Sequence, residues 1–220
     1  MTLALERDGA VLVAGAARAL LPALFDLAAS APAGQAGTRL NGSGLGDLLA
    51  GHPSIAALLE GVIGPAARPV RAILFDKSPA ANWSLGWHQD RTICVAERRD
   101  VAGFGPWTVK QGLIHVEPPF AVIEAMMTLR FHLDDVDEDN APLLIAPGSH
   151  RRGRIAERDY AATVEQCGTA ACLARAGDVW AYATPILHAS AASRGHRHRR
   201  VLQVDWAATA LPGGLAWRGI

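Results

Sequence analysis

The sequence predicts a mainly β fold with flanking helices, a double-sheet jelly roll, and three observations predict it. From Val70 onward, short apolar and β-branched runs recur between turn-rich joins, the texture of paired sheets. Helical spacing of apolar residues is concentrated before residue 65. No internal repeat, low-complexity tract or linker interrupts the chain, so one domain spanning 1–220 is expected.

In order along the chain, residues 9–14 read as a short strand. Residues 17–29 read as a helix with Leu20, Leu21, Leu24, Phe25 and Leu27 on or near one face. A Gly-rich turn at 41–46 precedes two short helical runs, 45–50 and 54–62, the second opened by Pro53 and closed by Gly64-Pro65. These helices, all within 17–65, are expected to buttress the sheet. Strands are expected at 70–75, 87–95, 121–133, 143–146, 178–183, 186–192 and 199–206, with a surface helix at 155–167. Residues 97–120 carry Gly103, Gly105 and Trp107 and read as a long loop placed to act as a lid or substrate loop.

Composition narrows the function classes. Half of the 220 residues are hydrophobic and 19% are charged, enough for a core with an internal pocket. The 21 basic residues equal the 21 acidic ones, so bulk charge gives no reason to expect nucleic acid or an anionic membrane as partner. Cys94, Cys167 and Cys172 have neither CxxC nor zinc-ribbon spacing, which argues for a reducing compartment. Charges at Glu6, Arg7, Asp8, Arg18 and Asp26 break the N-terminal apolar stretch, so neither a signal peptide nor a membrane span is expected; a cytoplasmic protein is.

The chemistry centres on Trp87-His88-Gln89-Asp90. Strand side chains alternate faces, so His88 and Asp90 share one side and Gln89 takes the other. His188 offers a third ligand from a distant strand. Two neutral histidines and one carboxylate on one face of an octahedron leave three positions open, the arrangement of non-haem Fe(II) oxygenases. Taken alone, His-x-Asp is as well read as a strand-end pair meeting water, so the downstream residues matter. Arg199 lies 11 residues beyond His188 and begins the run Arg199-Arg200-Val201-Leu202-Gln203-Val204. A turn and a neighbouring strand would return its guanidinium to the cavity, to pair with the far carboxylate of a dicarboxylate such as 2-oxoglutarate. Ser190, two residues past His188 on the same face, can donate a hydroxyl to that carboxylate.

His88-Gln89-Asp90, His188, Ser190 and Arg199, with Lys77-Ser78-Pro79 before them and Asn140-Ala141-Pro142 and Pro147-Gly148-Ser149-His150 between, resemble the phytanoyl-CoA dioxygenase family of Fe(II)/2-oxoglutarate oxygenases. The resemblance covers most of the chain, and Glu6 to Val13 is similar to the family's opening strand. It implies a double-stranded β-helix, a cupin-like jelly roll. It further implies Fe(II) held by the catalytic ligands His88, Asp90 and His188, with O2 and 2-oxoglutarate as co-substrates, the latter held by Arg199 and Ser190. Lys77 matches a position that often adds a co-substrate contact. Family members with Ala or Gly in place of Asp90 leave room for a halide, so Asp90 implies hydroxylation instead of halogenation. The implied reaction hydroxylates a small molecule while 2-oxoglutarate becomes succinate and CO2. So short a chain leaves little material for a CoA-binding surface, and phytanoyl-CoA is not the expected substrate.

Other polar residues carry weaker readings. Thr128, Arg130 and His132 share one face of a strand over 124–135, making Arg130 a candidate for binding the co-substrate or an anionic substrate. Trp107, Lys110 and His115 are candidate substrate contacts in the lid segment. His150 reads as a hydrogen-bonding residue of a turn, the basic run 194–200 as a solvated loop entering a strand, and Asp134 to Asp139 as a solvated acidic turn. Trp83, Trp87, Trp180 and Trp206 read as core. Two readings from other classes compete: a jelly-roll protein that binds or senses a metal without turnover, and a zinc hydrolase using the same three ligands around an activated water. Arg199 and Ser190 favour the oxygenase, because a plain metal binder has no use for a dicarboxylate anchor.

Overall fold

A computed structural model describes residues 2–220 except Ala33, Ala36, Ser43 and His196, so Ser43 of the expected turn and His196 of the basic run lie outside the described residues. The N-terminal part runs α1 (Leu5–Asp8), β1 (Ala10–Val13), α2 (Leu21–Ser30), β2 (Thr38–Leu40), α3 (Leu45–Ala50) and α4 (Pro53–Ile63). Then come β3 (Arg68–Lys77), β4 (Leu85–His88), β5 (Ile93–Val95), β6 (Trp107–Lys110), β7 (Leu113–Val116), α5 (Phe120–Glu124) and β8 (Met127–His132). The chain finishes with β9 (Leu143–Ile145), α6 (Tyr160–Cys167), β10 (Ala170–Cys172), β11 (Val179–Ala183), β12 (His188–Ser190) and β13 (Arg199–Ala207).

The strands pair in three sheets, β1-β11-β8-β13-β3-β2, β10-β9-β12-β4 and β5-β7-β6. Every pairing is antiparallel, so each strand can turn an apolar face one way and a polar face the other. β13 shows the consequence. Its Leu202, Val204 and Trp206 pack with Leu129 and Phe131 of β8 under Leu24 of α2, Leu49 of α3 and Ile55 and Leu59 of α4. Its Arg199, Gln203 and Asp205 are likewise buried, but among polar groups on the opposite face. That inner face meets the four-stranded sheet, where Ala10, Trp180 and Tyr182 pack against Leu143, Ile145 and Cys172. The architecture is the helix-backed jelly roll expected.

Three expectations needed correction. The single strand at 87–95 is two, β4 and β5, in different sheets. Gln89 breaks it: its Nε2 donates to Gly153 O and Pro185 O at 3.0 and 2.7 Å, and its Oε1 accepts from Ile155 N at 2.9 Å. The strand expected from 121 starts as α5, because Phe120 and Ile123 recur at helical spacing and pack with Met126 in one apolar cluster. Residues 97–120, expected as a loop, hold the hairpin β6–β7, where Lys110 pairs with Leu113 around Gln111 and Gly112. Both turn residues have positive φ, 50° and 76°, the backbone a two-residue hairpin turn demands. β2 and β10 are too short to have shown a period in the sequence.

Candidate metal and co-substrate site

His88, at the end of β4, lies directly opposite His188, at the start of β12, with ring centroids 4.2 Å apart. Asp90 follows in the loop after β4. One ligand atom from each of the three lies within 4.8 Å of the other two, and this is the only such grouping among the described residues. Each imidazole points its Nδ1 at the carbonyl two residues before it, His88 at Gly86 O (2.8 Å) and His188 at Ile186 O (2.9 Å). A carbonyl can only accept, so Nδ1 carries the proton and Nε2 keeps the lone pair a metal needs. Burial, and then the nearby His88, push His188 down to about 4, so the ring is neutral at ordinary pH. Burial opposes the charge of Asp90, but Arg71 beside it holds the carboxyl below its usual range. Two neutral nitrogens and one carboxylate are a donor set that fits Fe(II).

Behind Asp90 the six-stranded sheet supplies a charged brace. Arg71 Nη2 lies 3.4 Å from Asp90 Oδ2, while Arg71 Nε pairs with Asp205 Oδ2 at 2.5 Å. Asp205 Oδ1 accepts from Thr128 Oγ1 at 3.0 Å. Gln203 Oε1 accepts from Arg130 Nη1 (2.7 Å) and Tyr182 OH (3.3 Å), which turns its Nε2 toward Asp90 Oδ2 at 3.5 Å. The sequence analysis missed Arg71, Gln203 and Asp205. For the last two the signal was there: Gln203 and Asp205 keep the period of two of Arg199, interleaved with Leu202, Val204 and Trp206.

The other end of the same face gathers cations. Lys77 lies opposite Arg199, and Arg130 opposite Gln203. Arg199 Nη1 donates to Ala141 O at 2.8 Å, and Lys77 Nζ donates to Ser190 Oγ at 2.9 Å and to Ala191 O. Arg199 Nε, Arg130 Nε and both nitrogens of His132 are buried without a hydrogen-bond partner. Among the described residues no carboxylate lies within ion-pair distance of Lys77, Arg130 or Arg199. Burial pushes Lys77 down to about 7 and lowers Arg199, with the neighbouring arginines adding to both shifts. Burial, then Arg130 and Arg199, hold His132 well below its ordinary value. Three buried cations with no counter-charge cost stability that a bound dianion would restore.

A cavity of about 330 Å³ joins these groups; His88, Asp90, His188, Ser190, Arg199, Arg130 and Lys110 all line it. Lys77 sits just behind the lining, with Nζ 5.0 Å from the Trp83 ring centroid. Two substrate candidates are placed elsewhere. Trp107 packs beside Val116 and Phe104 with Arg98 over its ring, and His115 is buried with Nδ1 on Leu113 O. Trp83, expected in the core, lines the cavity, whereas Trp206 and Trp180 are buried as expected. His150 is not the hydrogen-bonding residue of its turn, since its Nδ1 is buried without a partner. Ser149 takes that part, its Oγ accepting from Leu187 N at 2.9 Å. The acidic turn and the basic run answer each other: Asp134 pairs with Arg200, Asp137 with Arg197 and Asp139 with Arg194.

The profile of the phytanoyl-CoA dioxygenase (PhyH) family matches residues 47–201. Among solved structures, HygX from Streptomyces hygroscopicus with nickel and 2-oxoglutarate bound superimposes with a TM-score of 0.61 at 15% identity, covering 92% of this chain and 84% of HygX. SnoN, a non-heme alpha ketoglutarate dependent epimerase from nogalamycin biosynthesis, gives 0.59 at 20% identity over 96% of this chain and 85% of SnoN. EctD from S. alaskensis with 2-oxoglutarate and 5-hydroxyectoine gives 0.58 at 16% identity over 93% and 73%. A search of curated sequences finds no match. No helix among the described residues is long and apolar enough to cross a membrane.

Proposed function

The chain belongs to the phytanoyl-CoA dioxygenase family of non-haem Fe(II)/2-oxoglutarate-dependent oxygenases, and we propose that it hydroxylates a small molecule at a centre held by His88, Asp90 and His188. The observation that carries this reading is the trio of buried, uncompensated cations at one end of the cavity that holds the three ligands, Arg130 and Arg199 lining it and Lys77 directly behind. A metal binder or a zinc hydrolase leaves that trio without purpose, while a dicarboxylate co-substrate neutralises it.

Bound Fe(II) supplies the activation of O2 that no side chain can supply. The protein does the rest. The Nε2 atoms of His88 and His188 and one oxygen of Asp90 would hold the metal, the Nδ1 atoms being engaged by backbone carbonyls. Arg199 and Ser190 would hold the far carboxylate of 2-oxoglutarate, with Lys77 donating to the Ser190 hydroxyl from behind. Arg130 adds charge at that end, and Gln203 keeps the Asp90 carboxylate in register with it. One oxygen atom of O2 enters the substrate C–H bond as C–OH, the other enters succinate, and C1 of 2-oxoglutarate leaves as CO2. Asp90 fills a ligand position, which favours hydroxylation over halogenation. A reducing, cytoplasmic setting fits the free thiols Cys94, Cys167 and Cys172.

The test is anaerobic addition of Fe(II) and then 2-oxoglutarate, watching for the weak visible charge-transfer band of a metal-chelated 2-oxo acid. A band that is lost in His88→Ala and weakened in Arg199→Ala is expected. Metal binding with no response to 2-oxoglutarate would move the assignment to the hydrolase or metal-binding readings.

A further inference from the structure

The cavity has a second cationic pole. Arg39 of β2 and Lys110 at the tip of the β6–β7 hairpin both line it, both half-buried. Gln111 brings them together: its Oε1 accepts from Arg39 N at 2.8 Å and its Nε2 donates to Gly37 O at 2.9 Å, so the hairpin tip is clamped to β2. Among the described residues neither cation has a carboxylate within ion-pair distance, and Arg39 Nε is buried without a partner. Among the described residues the sole acidic one lining the cavity is Asp90, which the proposed metal site uses. Burial first, then Arg71, lower both cations from their ordinary values, and Arg39 adds to the shift of Lys110.

The sheet register places this pole. Arg39 lies opposite Ile73, Ile73 opposite Gln203, and Gln203 opposite Arg130, so all four stand in one row across β2, β3, β13 and β8. Arg39 and Arg130 are therefore three strand spacings apart, roughly 14 Å. Asp90 meets the two strands between them, through Arg71 of β3 and Gln203 of β13. Asp90 thus lies between two cationic poles. 2-Oxoglutarate spans only about 5 Å between its carboxyl carbons. Anchored at Arg199, it cannot also serve Arg39 and Lys110.

We propose that Arg39 and Lys110 bind an oxyanion of the substrate, a carboxylate or a phosphate, so that the substrate is a small anionic molecule whose reacting carbon lies a short spacer from that group. This rests on the oxygenase reading above, since it assigns the first pole to 2-oxoglutarate. A guanidinium beside an ammonium, both partly shielded from water, recognises an oxyanion by charge-assisted hydrogen bonds that a neutral isostere cannot replace. Lys110 was among the substrate candidates of the sequence; Arg39 was not, because β2 is only three residues long and sits among turn residues.

The experiment loads the protein with Ni(II) and saturating 2-oxoglutarate and titrates benzoate, phenyl phosphate and neutral benzamide by calorimetry, for the natural protein, Arg39→Gln, Lys110→Gln and the double variant. At least tenfold preference for one of the two anions over benzamide is expected, and the anion preferred names the oxyanion. Each single variant should weaken anion binding about five- to tenfold and the double variant should abolish the preference, while 2-oxoglutarate affinity changes less than threefold. No preference over benzamide, or anion binding untouched by both variants, would overturn the proposal. So would a tenfold loss of 2-oxoglutarate affinity in either variant, which would make the pair part of the co-substrate site. Failure of the natural protein to bind 2-oxoglutarate at all would instead sink the oxygenase reading, and this inference with it.

Discussion

Lys77 Nζ donates to Ser190 Oγ across 2.9 Å, joining the end of β3 to the end of β12 at the closed side of the cavity. Burial, with Arg199 and Arg130 close by, pushes this lysine from its ordinary 10.5 down to about 7. Between those two pH values the unfolded chain therefore binds more protons than the folded one, so stability rises with pH across that window and the full penalty applies below about 7. A dianion bound beside the three cations removes the penalty. The rise in melting temperature on adding 2-oxoglutarate to the metal-loaded protein should be larger at pH 6.5 than at pH 9. Lys77→Met should flatten that difference. Equal shifts at both pH values in the natural protein, read by thermal denaturation, would remove Lys77 from the co-substrate site.

Arg71 is buried between two carboxylates, Asp205 and Asp90, and Asp205 is itself buried. Removing one member of a buried pair leaves a charge without compensation, at a cost of about 3–5 kcal/mol. Arg71→Met should lose stability on that scale in urea denaturation. The double variant Arg71→Met with Asp205→Leu should lose less than Arg71→Met alone, because it removes the stranded carboxylate as well. A double variant less stable than the single one would show that the pair is not what Arg71 chiefly serves.

Much of the site was legible because the chemistry sits on strands with clear alternation. His88 and Asp90 were paired by the rule that neighbouring strand residues face opposite ways, whereas His188, Ser190 and Arg199 needed the downstream spacing and the family resemblance. The brace behind Asp90 was hidden for a different reason. Arg71 stands in Val70 to Leu74, which reads as continuous core, and its burial is explained by Asp90 and by Asp205, the latter 134 residues away and opposite it in the sheet. Pairing between distant strands is not written in local spacing. The 97–120 segment misled because Gly and Pro signalled loop, whereas the alternation in Trp107 to Lys110 and Leu113 to Val116 signals a hairpin once Gln111-Gly112 is seen as its turn. Gln89 was placed on the correct side of its strand, but nothing local showed that its amide would end that strand by binding three backbone groups.

Gln203 offers a test of how much the surroundings of a ligand matter. Its amide orientation is fixed from behind by Arg130 and Tyr182, which leaves Nε2 to Asp90. Groups that orient a metal ligand typically contribute about 10- to 100-fold in metal affinity. Gln203→Leu should therefore weaken Fe(II) binding by about tenfold in chelator competition. Gln203→Glu should weaken it further, since a second carboxylate would repel Asp90 or compete for Arg130. A metal affinity unchanged in both variants would show that Arg71 alone positions the carboxylate.

Gly9 connects the entry of β1 to the metal strand. Its φ is 78°, and a Cβ there would come within 2.3 Å of His150 Nδ1, so both backbone and neighbour demand glycine. The turn carrying His150 also carries Ser149, whose Oγ accepts from Leu187 N, the residue before His188. Gly148 N in turn donates to Asp8 O at 2.8 Å, closing the connection to the N-terminus. Gly9→Ala should cost about 1–2 kcal/mol from the left-handed backbone alone and more from the displaced imidazole. His150→Ala should relieve the second part and not the first, so the double variant Gly9→Ala with His150→Ala should be more stable than the sum of the two single losses predicts. If the displaced turn carries Leu187 with it, Gly9→Ala should also weaken the 2-oxoglutarate charge-transfer band, and His150→Ala should restore part of it. Losses that add in the denaturation experiment would show that Gly9 and His150 act independently, and that the N-terminal strand does not bear on the metal site.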